Sequence, residues 1–258
     1  MYSPPMNSSR RVSRWVTLVI ASIGVLVAWF SQRDAGKTPP HADAMPRPAT
    51  RNSAFDFYLM AMTVHPAFCA DNARRRECTR GNHRPLVIHG LWPERMQPGT
   101  YPHDCPAPAL DLDAALTLEL ADMMPGMEDG LHQHEWRTHG GCSGLDDDDY
   151  YRHALELARR VDGALAATLT TRASAEATAG ELRGIADTFS PGLGRTLTFH
   201  CRPLKGAASR RPYLIEVRQC VDNDGPGGAP GTALECAIVK RRDQGCGGTF
   251  LIADGSAR

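Results

Sequence analysis

F-D-F-Y-L-M-A-M-T, residues Phe55 to Thr63, sets aromatic and aliphatic side chains in alternation with small ones and stops at Pro66. That pattern predicts a buried strand with which a sheet begins. Arg84 to Gly90, R-P-L-V-I-H-G, predicts a second short apolar strand, closed by Gly90 and Pro93, with the imidazole of His89 at its end. From Asp111 to Met124 the residues Leu112, Leu116, Leu120 and Met123 keep helical spacing and end before Pro125-Gly126. Tyr151, Leu155, Ala158, Val161 and Leu165 predict another amphipathic helix, with Asp146 or Asp147 as its cap. Thr196 to Phe199 and Tyr213 to Arg218 predict later strands, and Gly225 to Gly231 a turn-rich loop. With no internal repeat, the class is α+β: an antiparallel sheet with several packed helices. The acids Asp146 to Asp149 have the composition of a calcium loop, but carboxylates at a helix start complement its dipole, so they predict no metal.

The N-terminus differs in kind. Arg10, Arg11 and Arg14 precede an apolar run from Trp15 to Phe30, followed by a polar segment that reaches about Pro48. A charged start and an apolar stretch predict export. At sixteen residues the run is slightly short of the about twenty needed to span a bilayer, so a cleaved signal and a membrane anchor through residues 15–30 both stay open. Ser9-Arg10-Arg11 opens like a twin-arginine signal, but Ser13 and Arg14 are not the apolar pair that would strengthen it. Residues 1–48 are thus read as export signal or anchor plus linker, and 49–258 as one catalytic domain, secreted or periplasmic and monomeric.

All eight cysteines follow that segment, an even number in a chain bound for an oxidising compartment. Four disulfides suit them better than zinc, because the cysteines are widely spread rather than set in close pairs. Eight cysteines allow about a hundred pairings, and spacing does not choose among them. Residues 1–44 carry five Lys and Arg against two Asp and Glu, which leaves 24 against 27 in the remainder. A mildly acidic domain excludes a broad basic nucleic-acid surface, so any hold on a polyanion must be local, in a cleft.

Two segments carry candidate chemistry. In H-E-W-R-T-H-G-G-C, residues 134 to 142, Glu135 and His139 are four apart and share one face of a helix that Gly140-Gly141 should end; His134 is rotated about 100° from Glu135. The spacing is not that of the zinc motif H-E-x-x-H. Five residues advance a helix by about 500°, leaving His134 and His139 roughly 140° apart and unable to chelate one ion. With His89 the cluster supplies what cleavage of a ribose phosphodiester needs: one imidazole to accept the 2′-hydroxyl proton and another to protonate the departing 5′-oxygen. Imidazoles with pKa near 6.5 suit both roles at mildly acidic pH. His41, His65, His83, His103, His132, His153 and His200 have no partner motif and are assigned no role, and Trp136 and Tyr150 are read as core aromatics.

I-H-G-L-W-P-E (88 to 94) and H-E-W-R-T-H-G-G-C (134 to 142) resemble the two active-site segments of the ribonuclease T2 family, in the right order; F-Y-L-M-A-M-T-V-H-P-A-F-C (57 to 69) and L-I-E-V-R-Q-C (214 to 220) resemble two of its strands. The resemblance implies an α+β fold and metal-independent cleavage of single-stranded RNA, not DNA, through a 2′,3′-cyclic phosphate to 3′-phosphate ends, with no cofactor. It implies His139 as general base, His89 as general acid, His134 as the phosphate-positioning group and Glu135 as support for the transition state. Trp92 and Glu94 stand where relatives contact a base, against the simpler readings of a core tryptophan and a solvated glutamate. It further implies the disulfides Cys69 to Cys78, Cys105 to Cys142, Cys201 to Cys246 and Cys220 to Cys236.

Two positions depart from that pattern. Thr138 stands where the family has a lysine, removing a cation, and Arg137 points about 100° away on a helix. Val64-His65 stands where many relatives carry a tryptophan. These departures and the acidic domain leave a second reading, a catalytically impaired RNA-binding or interaction module of the same fold.

Overall fold

The structure, a computed structural model, describes residues 54–79, 84–97, 99–205, 210–239 and 241–254. The predicted export segment, His41 and His83 lie outside the described residues. The chain runs β1 (Phe57–Val64), α1 (His65–Asp71), α2 (Arg76–Thr79), β2 (Leu86–Glu94), α3 (Ala114–Met123), α4 (Leu131–Thr138), α5 (Asp147–Thr171), β3 (Glu176–Ala177), α6 (Ala179–Phe189), β4 (Leu197–Arg202), β5 (Tyr213–Asp222) and β6 (Phe250–Leu251). The six strands form one sheet in the order β2-β1-β5-β6-β3, with β4 also paired to β5. The pairs are antiparallel except β5 with β6. The class is therefore α+β, as predicted.

Several boundaries differ from the sequence reading. β2 does not close at Gly90 but runs on to Glu94, pairing throughout with β1, and Pro93 fits because it lies on a strand with no further neighbour at the sheet edge. α3 starts after Asp113, whose carboxylate accepts the N–H groups of Ala115 and Leu116, so Leu112 stays outside. α5 begins at Asp147. Asp146 caps it by accepting the N–H of Asp149, while Asp147 and Asp148 accept the N–H groups of Asp111 and Asp113 at 2.7 and 2.9 Å. The acidic run is thus used in capping and in tying α5 to the segment that starts α3. α6 was missed, although Thr178 and Glu181 form a capping box at its start.

One face of the sheet meets α5. Tyr58, Met60, Met62 and Val64 of β1, with Leu86, Ile88 and Leu91 of β2, pack in the main core with Leu155, Ala158, Val161 and Leu165; each such side chain removed from water contributes roughly 1.5–3 kcal/mol. The apolar set of β2 changes parity between Ile88 and Leu91, which an even strand cannot accommodate. A bulge resolves it: Ala61 pairs with Gly90 and Met62 with Ile88, leaving His89 as the extra residue. His89 is therefore not at a strand end. The bulge turns its imidazole onto the face of Gly90 and Trp92, its ring 5.1 Å from the indole.

Register fixes what else lies on that second face. Trp92 pairs with Leu59 and Leu59 with Cys220; Gly90 pairs with Ala61 and Ala61 with Arg218; Thr63 pairs with Glu216 and Glu216 with His200. A small cluster of Phe57, Leu59, Cys220, Cys236 and Val239 closes one end. The other end, floored by Ala61 and Gly90, carries the polar residues.

Four disulfides join Cys69 to Cys78, Cys105 to Cys142, Cys201 to Cys246 and Cys220 to Cys236. The same pairs are those the family resemblance implies.

Candidate active site

His89 Nδ1 lies 2.7 Å from Oε1 of Glu216, a carboxylate with 8% of its side chain exposed, while the imidazole is 40% exposed. Arg218 holds the other Glu216 oxygen, and its guanidinium also lies over the Trp92 ring, 5.4 Å from the centroid. Burial works against the His89 cation, but the hydrogen bond and negative charge of Glu216, helped by Glu135, outweigh it and raise its pKa. Burial likewise opposes ionisation of Glu216, yet His89 and Arg218 hold its pKa below the usual carboxylate range.

Glu135, buried on α4, reaches the same face. Its Oε2 accepts the Trp92 indole N–H at 2.8 Å, and burial raises its pKa against the pull of His89 and His134. A methyl group on Gly90 would come within 2.1 Å of that oxygen, so only glycine lets the carboxylate seat on the strand. His139 is the C-cap of α4 rather than a member of its regular turns, with φ −123° and ψ −47°. Its ring lies 5.6 Å from Trp92 and 6.0 Å from Tyr101, so Trp92 stands between the His89 and His139 sides of the site. Burial first, then the positive charges of His134 and His89, depress the His139 pKa to about 4. Its Nδ1 is buried without a hydrogen-bond partner.

The Cys105 to Cys142 bridge ties the irregular segment after β2 to the turn following α4, and Asp104 N–H donates to the Thr138 carbonyl at 2.8 Å beside it. Among the described residues, the one group of three or more metal-ligating side chains that converge is His65, Cys69 and Cys78, and both sulfurs are spent in a disulfide.

The ribonuclease T2 family model matches residues 55–227. The chain belongs to that family. It is similar to a ribonuclease from Aeromonas hydrophila, 29% identical over 233 residues that cover 89% of this chain and 94% of that one. Its fold resembles RNase MC1 from the seeds of bitter gourd (23% identity, TM-score 0.60, 76% of this chain and 100% of that one). It also resembles RNase NT in complex with 5′-AMP (22% identity, TM-score 0.57, 77% and 98%). As a member of the ribonuclease T2 family the protein is an endoribonuclease.

In this T2 ribonuclease the predicted residues His89, Trp92, Glu135 and His139 come together, with His134 exposed on α4 one turn before Thr138. Glu94 is neither solvated nor free: it is buried and paired with Arg241. Trp92 is half-buried, tied to Glu135 and covered by Arg218. Arg137 is exposed and donates back to the Gln133 carbonyl at 3.3 Å, so it does not fill the place of the lysine absent at 138. Trp136 and Tyr150 are core residues, as predicted. His65 is buried and locally paired, 3.4 Å from Glu77 and 3.5 Å from Cys69 Sγ.

Sequence reasoning missed Glu216, Arg218, Gly90 and Tyr101. The first two stood in a quoted strand segment, L-I-E-V-R-Q-C, as alternate residues on one face. Two opposite charges alternating with Ile215, Val217 and other apolar residues were the available signal.

Proposed function

We propose that this T2 ribonuclease cuts single-stranded RNA without a metal by two proton transfers. His139 takes the proton of the ribose 2′-hydroxyl as that oxygen attacks phosphorus. The bond from phosphorus to the 5′-oxygen breaks, and His89 Nε2 gives its proton to the departing oxygen. The product is a 2′,3′-cyclic phosphate. Hydrolysis then runs the transfers in reverse: neutral His89 takes a proton from water as its oxygen attacks phosphorus, the bond from phosphorus to O2′ breaks as cationic His139 protonates O2′, and a 3′-phosphate remains.

The observation that carries this assignment is the opposite tuning of the two imidazoles. Glu216 favours the charged, acid form of His89, whereas burial without a partner at Nδ1 favours the neutral, basic form of His139. His134 and the protonated form of Glu135, made more abundant by burial, would donate to the phosphoryl oxygens. Tyr101, 41% exposed beside His139, offers a face on which a base stacks. Trp92 would close the base site from the other side, and Glu94, with one oxygen on Arg241, would accept from a base N–H.

Export is part of the same proposal. Four disulfides are durable in an oxidising compartment. Among the described residues no helix is long and apolar enough to cross a membrane.

The test is cleavage of homopolymer RNA in EDTA by wild type, His89→Ala and His139→Ala, with product ends identified. Cyclic-phosphate ends from wild type and losses of about 10²–10⁴-fold in each variant are expected. Wild-type activity abolished by EDTA, or variants that keep full activity, would refute the assignment.

A further inference from the structure

Beyond His89, on the side away from α4, the sheet face opens into a cavity of about 260 Å³. His89, His200, Arg202, Glu216 and Arg218 line it, with Phe68 on its apolar side. His134, Glu135 and His139 do not line it. The cavity therefore belongs to the His89 side of the site. If His89 protonates the leaving 5′-oxygen, that side receives the nucleotide following the cut.

The cavity is built for an anion. Among the described residues Arg202 is anchored through Nη1 alone, to Asp71 at 2.6 Å and the Pro203 carbonyl at 3.1 Å, which leaves Nε and Nη2 to face a ligand. The Arg218 guanidinium gives Nε and Nη2 to Glu216, and among the described residues its Nη1 makes no hydrogen bond. With His89 protonated, three cations face two carboxylates, Glu216 and Asp71, so one positive charge is in excess. His200 adds a ring nitrogen that can donate. Guanidinium groups with open donor edges are suited to phosphate oxygens. In a domain whose remaining charge is slightly negative, this is a local positive site within one nucleotide of the reacting bond.

We propose that Arg202, with Arg218 and His200, forms a subsite for the phosphate one position downstream of the scissile one. The enzyme thus selects chains that continue past the leaving nucleotide. The proposal rests on His89 acting at the leaving-group side.

The test uses uridine followed by two deoxyadenosines, which has one 2′-hydroxyl and so one cleavable phosphate. A second version replaces only the downstream phosphate with a neutral methylphosphonate. For wild type, kcat/KM is expected to be about tenfold higher on the charged version, the scale of one charge-assisted contact. Its logarithm should also fall more steeply with the logarithm of salt, by about 0.7 for the one extra phosphate neutralised. Arg202→Gln should bring the ratio close to one, and Arg202→Lys should keep part of it. A variant that merely folds poorly lowers both rates and preserves the ratio. Equal wild-type rates on the two versions, or a full ratio in Arg202→Gln, would overturn the phosphate subsite while leaving the histidine chemistry intact. Cleavage of neither version would overturn both.

Discussion

His89 and His139 are the same residue type placed in opposing surroundings, and the pH profile should reveal it. The acid must be protonated: its pKa is raised, so activity is retained up to that value and lost as pH climbs through it. The base must be neutral: its pKa is pushed down to about 4, so activity appears as pH rises past that point. kcat/KM against pH should therefore show a plateau from mildly acidic toward neutral pH rather than a narrow bell; a narrow peak would contradict the tuning. Glu216→Gln removes the larger causes that raise His89 and leaves only Glu135 against the burial and Arg218 that lower it, so the alkaline limb should move to lower pH. kcat should fall about 10- to 100-fold, the worth of a hydrogen bond to a charged group. An unmoved limb would show that Glu216 only packs. Thr138→Lys should act in the other direction. A cation at the end of α4 suits its dipole, and among the described residues the Thr138 side chain has no hydrogen-bond partner to lose. Steady-state kinetics should show kcat rising by about three- to tenfold if the added ammonium reaches the phosphoryl oxygens. An unchanged kcat would show that it does not.

At the scale of elements, β2 explains both what the sequence disclosed and what it hid. The strands around Phe57 and Leu86 and the α5 face were legible because their apolar residues follow the period of their element, and the helix bearing Glu135 because Gly140-Gly141 marks its end. The bulge was not, because an extra residue exists only relative to the partner strand, although the parity change from Ile88 to Leu91 was its trace. Glu216 and Arg218 were hidden for the same reason. Their pairing with Thr63 and Ala61 depends on a register linking residues about 150 apart in sequence. α6 went unread because its capping box precedes a segment with few large apolar residues. Gly90→Ala tests the element directly. The added methyl must displace the Glu135 carboxylate or the Trp92 indole, whose atoms lie 2.1 and 2.5 Å from it. The expected result is a loss of at least about a hundredfold in kcat, with a melting temperature lowered by only a few degrees, about 1–3 kcal/mol of overpacking. Near-normal kcat would mean that the close seat of Glu135 on β2 is unimportant.

For the molecule as a whole, the site is divided between a sheet face carrying His89 and a helix end carrying His139, and their relative placement depends on what joins the two. The Cys105 to Cys142 bridge closes a loop of 37 residues between them. In the chain-entropy account, removing a cross-link of that span costs about 4 kcal/mol, or roughly 10 °C in the melting temperature of a domain this size. If stability were its only contribution, the folded fraction of a Cys105→Ser/Cys142→Ser variant would retain full kcat well below its melting temperature. Among the described residues the other hydrogen bonds between these segments run from Asp104 N–H to the Thr138 carbonyl and from the Trp136 indole N–H to the Pro108 carbonyl, and neither holds the turn that carries Cys142. Without the bridge, the C-cap that sets the His139 ring against Trp92 and Tyr101 should therefore wander. Since displacements of about 1 Å cost catalysis about a hundredfold, kcat corrected for folded fraction should fall by at least about tenfold, while binding of a nonhydrolysable dinucleotide changes less. Full corrected kcat in the double variant, alongside the expected thermal destabilisation, would show that the sheet and α4 hold the two imidazoles in place without the bridge.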